Sequence, residues 1–121
     1  MSDTRKLIER YLEIWNETDP VARRAAIEEV WTEDAVYVDP LVAAEGRPAI
    51  DAAVQGVQEQ FPGLLFTLSG EVDAHHLARF SWDLGPHAGE ALAVGFDVAV
   101  LTDDAQQIRT VHGFLDKVPG A

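Results

Sequence analysis

Apolar side chains in the first half of the chain recur at the spacing of an α-helix. In residues 3–16 they share one helical face, at positions Leu7, Ile8, Tyr11, Leu12 and Trp15. Residues 20–31 carry a similar stripe. Asp19 and Pro20 stand at its start, and this pair is typical of an N-cap followed by the first helical position. Residues 47–61 carry a third stripe, and a Pro-Gly pair follows it. The pattern therefore predicts three amphipathic helices.

From residue 64 onward the period of the apolar positions changes from 3.6 to 2, as in half-buried strands. Four long strands are predicted here, at 64–74, 77–84, 91–101 and 108–118, and one short strand lies between the helices at 35–39. Helices that precede a run of strands indicate an α+β domain. Short turns between the last strands favour antiparallel neighbours. We expect a curved antiparallel sheet wrapped around the N-terminal helices, with a cavity that opens at one end.

Length and charge limit the class of protein. The 121 residues suit a single domain, residues 1–121. The formal net charge of -12 argues against partners such as nucleic acid or an anionic membrane, because both are bound through clustered Lys and Arg. The absence of cysteine excludes disulfides and thiol nucleophiles. The polar N-terminus predicts no signal peptide, and no apolar run suits a membrane span, so we expect a cytoplasmic protein.

Asp39 ends the short strand "AVYVD", directly before Pro40. It lies on the same side of the strand as Tyr37, opposite Val36 and Val38. One interpretation is an aspartate that caps the turn before the proline, which is a frequent arrangement. The other is a general base at the wall of an apolar pocket. The residues alone leave both interpretations open.

Asp97 interrupts "LAVGFDVAVL", a strand with no other charge. A buried carboxylate is costly unless it is paired or neutralised, so an acid at this position needs a reason. Its strand face otherwise carries small residues, which leave room for a ligand to reach the carboxylate. A structural alternative is an Asp that bonds Arg79, His112 or a backbone group. Asp97 could pair with His112 across the turn near residue 104, and an Asp–His pair is a plausible proton relay.

Aromatic side chains could line a pocket for a flat hydrophobic molecule. The candidates for substrate binding are Trp15, Trp31, Tyr37, Trp82 and Phe114. His75 and His76 are adjacent in sequence and point to opposite faces of a strand, so we interpret them as turn residues. No spacing of His and carboxylate residues predicts a metal site, and no glycine-rich phosphate loop predicts a cofactor.

Four segments in this order and spacing resemble the nuclear-transport-factor-2-like superfamily: "RYLEIWNETDP", "WTEDAVYVDP", "GFDVAV" and "GFLDKVP". The similarity is greatest to its SnoaL-like polyketide cyclase and ketosteroid isomerase branch. The resemblance implies a cone-shaped, cystatin-like α+β barrel with an internal pocket, and homodimers that form through the outer face of the sheet. This fold serves enzymes, binding proteins and adaptors alike, so it indicates structure more strongly than activity.

The resemblance also implies roles for three residues. Tyr11, Asp39 and Asp97 match the positions of the isomerase active site, in which Asp39 would be the base that moves a proton, while Tyr11 and a protonated Asp97 would donate hydrogen bonds to the enolate oxygen. The cyclases use an Asp and a His in a similar way, and His112 is the candidate partner of Asp97 here, without a residue-by-residue match. The leading hypothesis is a cofactor-free isomerase or cyclase of a hydrophobic carbonyl compound. A binding protein without catalysis and a dimeric interaction module are the alternatives.

Overall fold

The computed structural model describes residues 3–86 and 89–117, and it contains three helices and six strands. The helices are α1 (Asp3–Asn16), α2 (Pro20–Val30) and α3 (Arg47–Gln60). The strands are β1 (Trp31–Val38), β2 (Ala43–Glu45), β3 (Leu65–Ala74), β4 (Leu77–Gly85), β5 (Ala93–Leu101) and β6 (Ile108–Lys117). Residues 87–88 of the predicted loop and residue 118 of the predicted last strand lie outside the described residues.

The six strands form one curved, open sheet in the order β2-β1-β6-β5-β4-β3. The α+β class and the sheet around N-terminal helices are thus confirmed. The three pairings among β3, β4, β5 and β6 are antiparallel, as expected, and so is the pairing of β1 with β2, whereas β1 lies parallel to β6 at the far end of the chain. Sequence patterns cannot show this pairing, because it joins residues as far apart as Trp31 and Ile108 through a crossover that includes most of the fold.

β2 is a strand that the sequence analysis missed. It pairs antiparallel with β1, with Tyr37 opposite Ala44. The segment Ala-Ala-Glu is short and poor in β-branched or aromatic residues, so its propensity gave no signal. The predicted boundaries elsewhere differ by a few residues: β1 begins at Trp31 rather than at residue 35, and β5 begins at Ala93 rather than at residue 91.

The helices cover the concave face of the sheet and close the core. α1 buries Leu7, Ile8 and Tyr11 against the inner face, as its apolar stripe predicts. Asp19 caps α2 by accepting a hydrogen bond from the Ala22 N–H (3.0 Å). None of the helices in 3–86 and 89–117 is long and apolar enough to cross a membrane.

A buried arginine fixes α3 against the other two helices. Arg23 on α2 is 2% exposed and forms an ion pair with Asp51 on α3. Its guanidinium also donates to the side-chain oxygens of Gln55 (3.3 Å) and Gln58 (2.9 Å). Gln58 in turn donates to the Trp15 carbonyl on α1 (3.0 Å). The network satisfies a buried charge and holds the helix that forms one side of the cavity described next.

Candidate active site

A cavity of about 340 Å³ lies between the helices and the inner face of the sheet. Its walls are aromatic and aliphatic in equal parts. The Trp15 ring packs against Tyr37 and Phe66 with ring centroids 5.2 and 5.6 Å apart. Among the described residues that line it, Asp39 and Asp97 are the only charged side chains. The predicted pocket-facing positions of both carboxylates are therefore found together at one cavity.

Asp97 lies on the inner face of β5 and is only 3% exposed. The Tyr11 hydroxyl of α1 donates to its Oδ2 (3.0 Å), and the Trp82 indole Nε1–H of β4 donates to its Oδ1 (3.1 Å). Neither donor is charged, and Arg79, the partner considered from the sequence, instead pairs with Asp73 at the surface (3.7 Å). Asp97 is thus a buried carboxyl group that neutral hydrogen bonds hold in place.

Burial raises the pKa of Asp97 to about 6. The hydrogen bonds from Trp82 and Tyr11 act in the opposite direction, because they stabilise the ionised form, and the neighbouring charge of Asp39 adds to the increase. A carboxyl group with a pKa near neutrality can accept and return a proton under physiological conditions.

Asp39 follows β1 and is half-buried at the cavity wall. Its Oδ1 accepts hydrogen bonds from the backbone N–H groups of Leu41 and Val42, both at 2.8 Å. Its Oδ2 accepts a hydrogen bond from the Tyr37 hydroxyl (2.6 Å). The two interpretations of this residue are therefore compatible, because one carboxylate caps the β1–β2 turn and also lines the cavity.

The two tyrosines remain protonated donors at any physiological pH. Burial raises the pKa of Tyr37, and the charge of Asp97 and the hydrogen bond to Asp39 raise it further. Burial and then the charge of Asp97 raise the pKa of Tyr11 well above its usual value, while a hydrogen bond from Trp15 lowers it. Their hydroxyl protons are therefore directed at the two carboxylates.

Two glycines allow the polar groups to approach one another. A Cβ at Gly113 on β6 would lie 2.9 Å from Asp97 Oδ1 and 3.2 Å from Asp39 Cβ, so both acidic side chains meet over this residue. A Cβ at Gly95 would lie 2.4 Å from the Trp82 ring, which crosses β5 at this position to reach Asp97. The sequence analysis missed both roles, although an isolated glycine within a strand is a known sign of close approach.

The predicted pairing of Asp97 with His112 is wrong by one residue. Leu101 pairs with Ile108 in the predicted register, but an irregularity follows, and Asp97 therefore lies opposite Gly113. A slip of one residue reverses the face on which every later side chain lies. His112 is consequently exposed on the outer face, where its Nε2 lies 3.3 Å from Thr110 Oγ1.

The predicted aromatic lining is found in part. Trp15, Tyr37 and Trp82 line the cavity, together with Phe66. Phe114 does not reach it, because the same register shift places its ring on the outer face, stacked on Phe96 at 4.8 Å.

Trp31 is also absent from the cavity wall. It is 1% exposed and packs behind Tyr11, with ring centroids 5.7 Å apart, so it supports the cavity from within the core. No group of three or more His, Asp or Glu side chains among residues 3–86 and 89–117 is arranged to hold a metal ion.

Comparison with known proteins agrees with this fold. The family model described as a SnoaL-like domain matches residues 8–112. A candidate isomerase of the SnoaL-like family from Agrobacterium tumefaciens str. C58 is 38% identical, with 96% of this chain and 99% of that chain covered and a TM-score of 0.89. Among curated proteins, none matches the chain significantly.

Two more distant structures share the fold. A candidate ketosteroid isomerase from Kribbella flavida DSM 17836 is 20% identical, with 98% of this chain and 81% of that chain covered and a TM-score of 0.69. A candidate SnoaL-like polyketide cyclase from Jannaschia sp. CCS1 is 19% identical, with 96% and 90% covered and a TM-score of 0.70. The family model spans most of the chain, and the protein therefore belongs to the SnoaL-like domain family.

Proposed function

We propose that the protein is a cofactor-free enzyme that isomerises or cyclises a small hydrophobic carbonyl compound by moving a proton. The observation that carries the proposal is Asp97, a carboxyl group with a pKa of about 6 at the inner wall of an aromatic cavity. Removing a proton next to a carbonyl requires a base of this kind where water is scarce. The relative from Agrobacterium tumefaciens is a candidate isomerase, which supports the isomerase reaction class for this chain.

We assign the role of base to Asp97 rather than to Asp39, which is the base that the family resemblance implies. Asp39 Oδ1 already accepts two backbone hydrogen bonds and Oδ2 accepts one from Tyr37, so its carboxylate is occupied in fixing the turn. Asp97 accepts one hydrogen bond on each oxygen and keeps a lone pair on each. It is therefore the carboxylate with more capacity to accept a proton.

The proposed reaction begins when ionised Asp97 removes a proton from the carbon next to the substrate carbonyl. The C–H bond breaks, an O–H bond forms on Asp97, and the electron pair moves onto the substrate as an enolate. Once Asp97 is neutral, the Tyr11 hydroxyl no longer faces a charged acceptor and can donate to the enolate oxygen instead. In an isomerisation Asp97 then returns its proton to another carbon of the enolate. In a cyclisation the enolate carbon forms a C–C bond to a second carbonyl carbon of the substrate, the π bond of that carbonyl breaks, and Asp97 returns its proton to the resulting alkoxide oxygen.

Hydrogen–deuterium exchange at carbon tests this proposal without knowledge of the natural substrate. A panel of cyclic ketones is incubated with the protein in deuterium oxide, and NMR follows the loss of the protons next to the carbonyl. We expect exchange with the unaltered protein and none above background with Asp97→Asn. The control Asp116→Asn, which alters an exposed carboxylate on β6, leaves exchange unchanged. Exchange that survives in Asp97→Asn, or that is absent with every ketone, contradicts the proposal.

The second candidate is a binding protein that uses the same cavity without catalysis. A mainly apolar cavity of about 340 Å³ favours this candidate equally, because its volume and lining suit a small hydrophobic ligand. Mass spectrometry of the protein purified from its own organism would identify a bound compound. Recovery of that compound unchanged after long incubation, together with no exchange on any ketone, favours binding alone.

We also propose that a second copy of the chain covers the outer face of the sheet. The outward residues of β5 are all apolar, and Phe114 on β6 stacks on Phe96 while remaining 48% exposed. An apolar face of this kind is unusual on a chain with a net charge of -12 unless a partner covers it. Light scattering after gel filtration tests the proposal: we expect a dimer, and Phe114→Lys should give a monomer. A monomeric unaltered protein refutes it.

A further inference from the structure

We infer that the ligand of this cavity presents a hydrogen-bond donor to the carboxylate pair Asp39 and Asp97, as a hydroxylated one- or two-ring compound would. An ether or an anion of the same shape is therefore a poor ligand. The inference rests on the proposed function only in placing the ligand in the same cavity. It follows from the hydrogen bonds around the two carboxylates, which use the neighbouring donors and leave acceptor lone pairs free.

The donors near Asp97 are already used by Asp97 itself. Tyr11 directs its hydroxyl proton at Oδ2, and Trp82 directs its Nε1–H at Oδ1. The Trp15 side chain faces the Tyr11 hydroxyl and lowers its pKa, so its N–H is directed at the same group of donors. Hydrogen bonds to an ionised carboxylate are about twice as strong as neutral ones, so a ligand carbonyl does not readily displace them.

The donors near Asp39 are used in the same way. The N–H groups of Leu41 and Val42 and the hydroxyl of Tyr37 all point at its carboxylate. Gln60 is the remaining lining side chain with a donor in the described part of the chain, and it is an exposed residue at the end of α3. The polar end of the cavity thus offers lone pairs and no spare side-chain proton.

Charge restricts the ligand further. The groups that face Asp97 are Tyr11 from α1, Tyr37 and Asp39 from β1 and the turn after it, and Trp82 from β4. No Lys, Arg or His belongs to the described lining, so an anionic ligand would face two carboxylates without a counter-charge. A neutral hydroxyl supplies a proton to a spare lone pair of the Asp39 or Asp97 carboxylate. A ligand without a donor would exclude water and leave those lone pairs without a hydrogen bond, which is costly.

Size and walls indicate the rest of the ligand. The volume of about 340 Å³ is near the lower end for small-molecule pockets, which are about 300–1,000 Å³. Phe66 and Trp82 pack edge to face with centroids 5.2 Å apart and present flat apolar surface beside Asp97. One or two rings therefore fit better than an extended polycyclic molecule.

Matched pairs of ring compounds test the inference. The pairs are 2-naphthol with 2-methoxynaphthalene and 4-propylphenol with 4-propylanisole, and 2-naphthoate is the anion. Binding is measured at pH 8 from the shifts of the three Trp indole N–H signals in two-dimensional NMR, with the Trp82 signal assigned by Trp82→Phe. We expect each phenol to bind at least about tenfold more tightly than its methyl ether, since bonds to charged groups are among the strongest.

Two further measurements tie the preference to the carboxylate. At pH 5, where Asp97 is mostly protonated and can itself donate, the preference should fall several-fold. In Asp97→Asn, whose amide supplies a donor, it should fall at pH 8 as well, whereas Asp116→Asn should retain it. Equal binding of phenol and ether in both pairs, including no binding by either, overturns the inference. So does a preference that Asp97→Asn leaves unchanged, or naphthoate that binds as tightly as naphthol.

The inference and the proposed function fail in different experiments. Proton exchange on ketones without any preference for phenols would leave the proposed function standing and remove the inference. A preference for phenols without exchange on any ketone would have the reverse effect and would support the binding protein.

Discussion

Replacing Asp97 by Asn is expected to stabilise the folded protein, and to do so more at pH 8 than at pH 5. The native carboxyl group is buried without a cationic partner, so its ionisation opposes folding. Asn has nearly the same shape and keeps an oxygen that can accept from Tyr11 or Trp82, but it carries no charge. A site arranged for proton transfer thus lowers stability, as is common where function needs a strained or charged interior.

The size of the effect follows from the pKa of Asp97, which rises from 3.8 to about 6 on folding. Because the folded state binds the proton more tightly than the unfolded state, stability falls as the pH rises through this window and is then constant above it. About two pH units at 1.36 kcal/mol each correspond to roughly 3 kcal/mol of lost stability. Roughly half of this loss develops between pH 5 and pH 8.

Urea unfolding, followed by circular dichroism at pH 5, 6, 7 and 8, measures the difference between the two proteins. The series begins at pH 5 because the sequence has an isoelectric point near 4.5, where precipitation would interfere. Any hydrogen bond that the amide makes or loses contributes equally at each pH, so the change in the difference isolates the charge. Asp116→Asn serves as the exposed control and should show no such trend. If the difference between Asp97→Asn and the unaltered protein is constant across the series within about 0.5 kcal/mol, burial does not raise the pKa as argued.

Three further predictions concern groups that support the site. In thermal unfolding scans, Gly113→Ala should destabilise the protein by about 1–3 kcal/mol, because its Cβ would lie 2.9 Å from an oxygen of Asp97. Gly56→Ala, which has open space around it, should instead stabilise the protein by about 0.5–1 kcal/mol in the same scans. Arg23→Met should lower the free energy of unfolding in urea by about 3 kcal/mol, because it leaves the Asp51 carboxylate and the side-chain oxygens of Gln55 and Gln58 without the guanidinium. An unchanged urea midpoint would show that the network does not stabilise the fold. Trp82→Phe removes a hydrogen bond to the carboxylate, so the pKa of Asp97 should rise further in a carbon-13 NMR titration; a lower or equal value would contradict the assigned contact.

Local patterns were sufficient to predict most of the secondary structure and one side of the site. Alternation along β5 placed Asp97 on a face with small neighbours, and the structure has these residues buried together. Alternation along β1 likewise placed Tyr37 and Asp39 on one side, where they now share a hydrogen bond. Such predictions succeed because the side-chain period of a strand is fixed by its backbone geometry and needs no knowledge of the partner strand.

The chain by itself thus determined three helices, the long strands, the inward direction of Asp97 and the family to which the segments belong. Tertiary structure decided which groups meet. The irregularity between Val100 and Leu101 placed His112 and Phe114 on the outer face, and packing against α1 and β4 supplied Asp97 with its two donors. The reason is physical: an extra residue in a strand reverses its faces, and the pKa of an acid depends on burial and on neighbours that are distant in sequence.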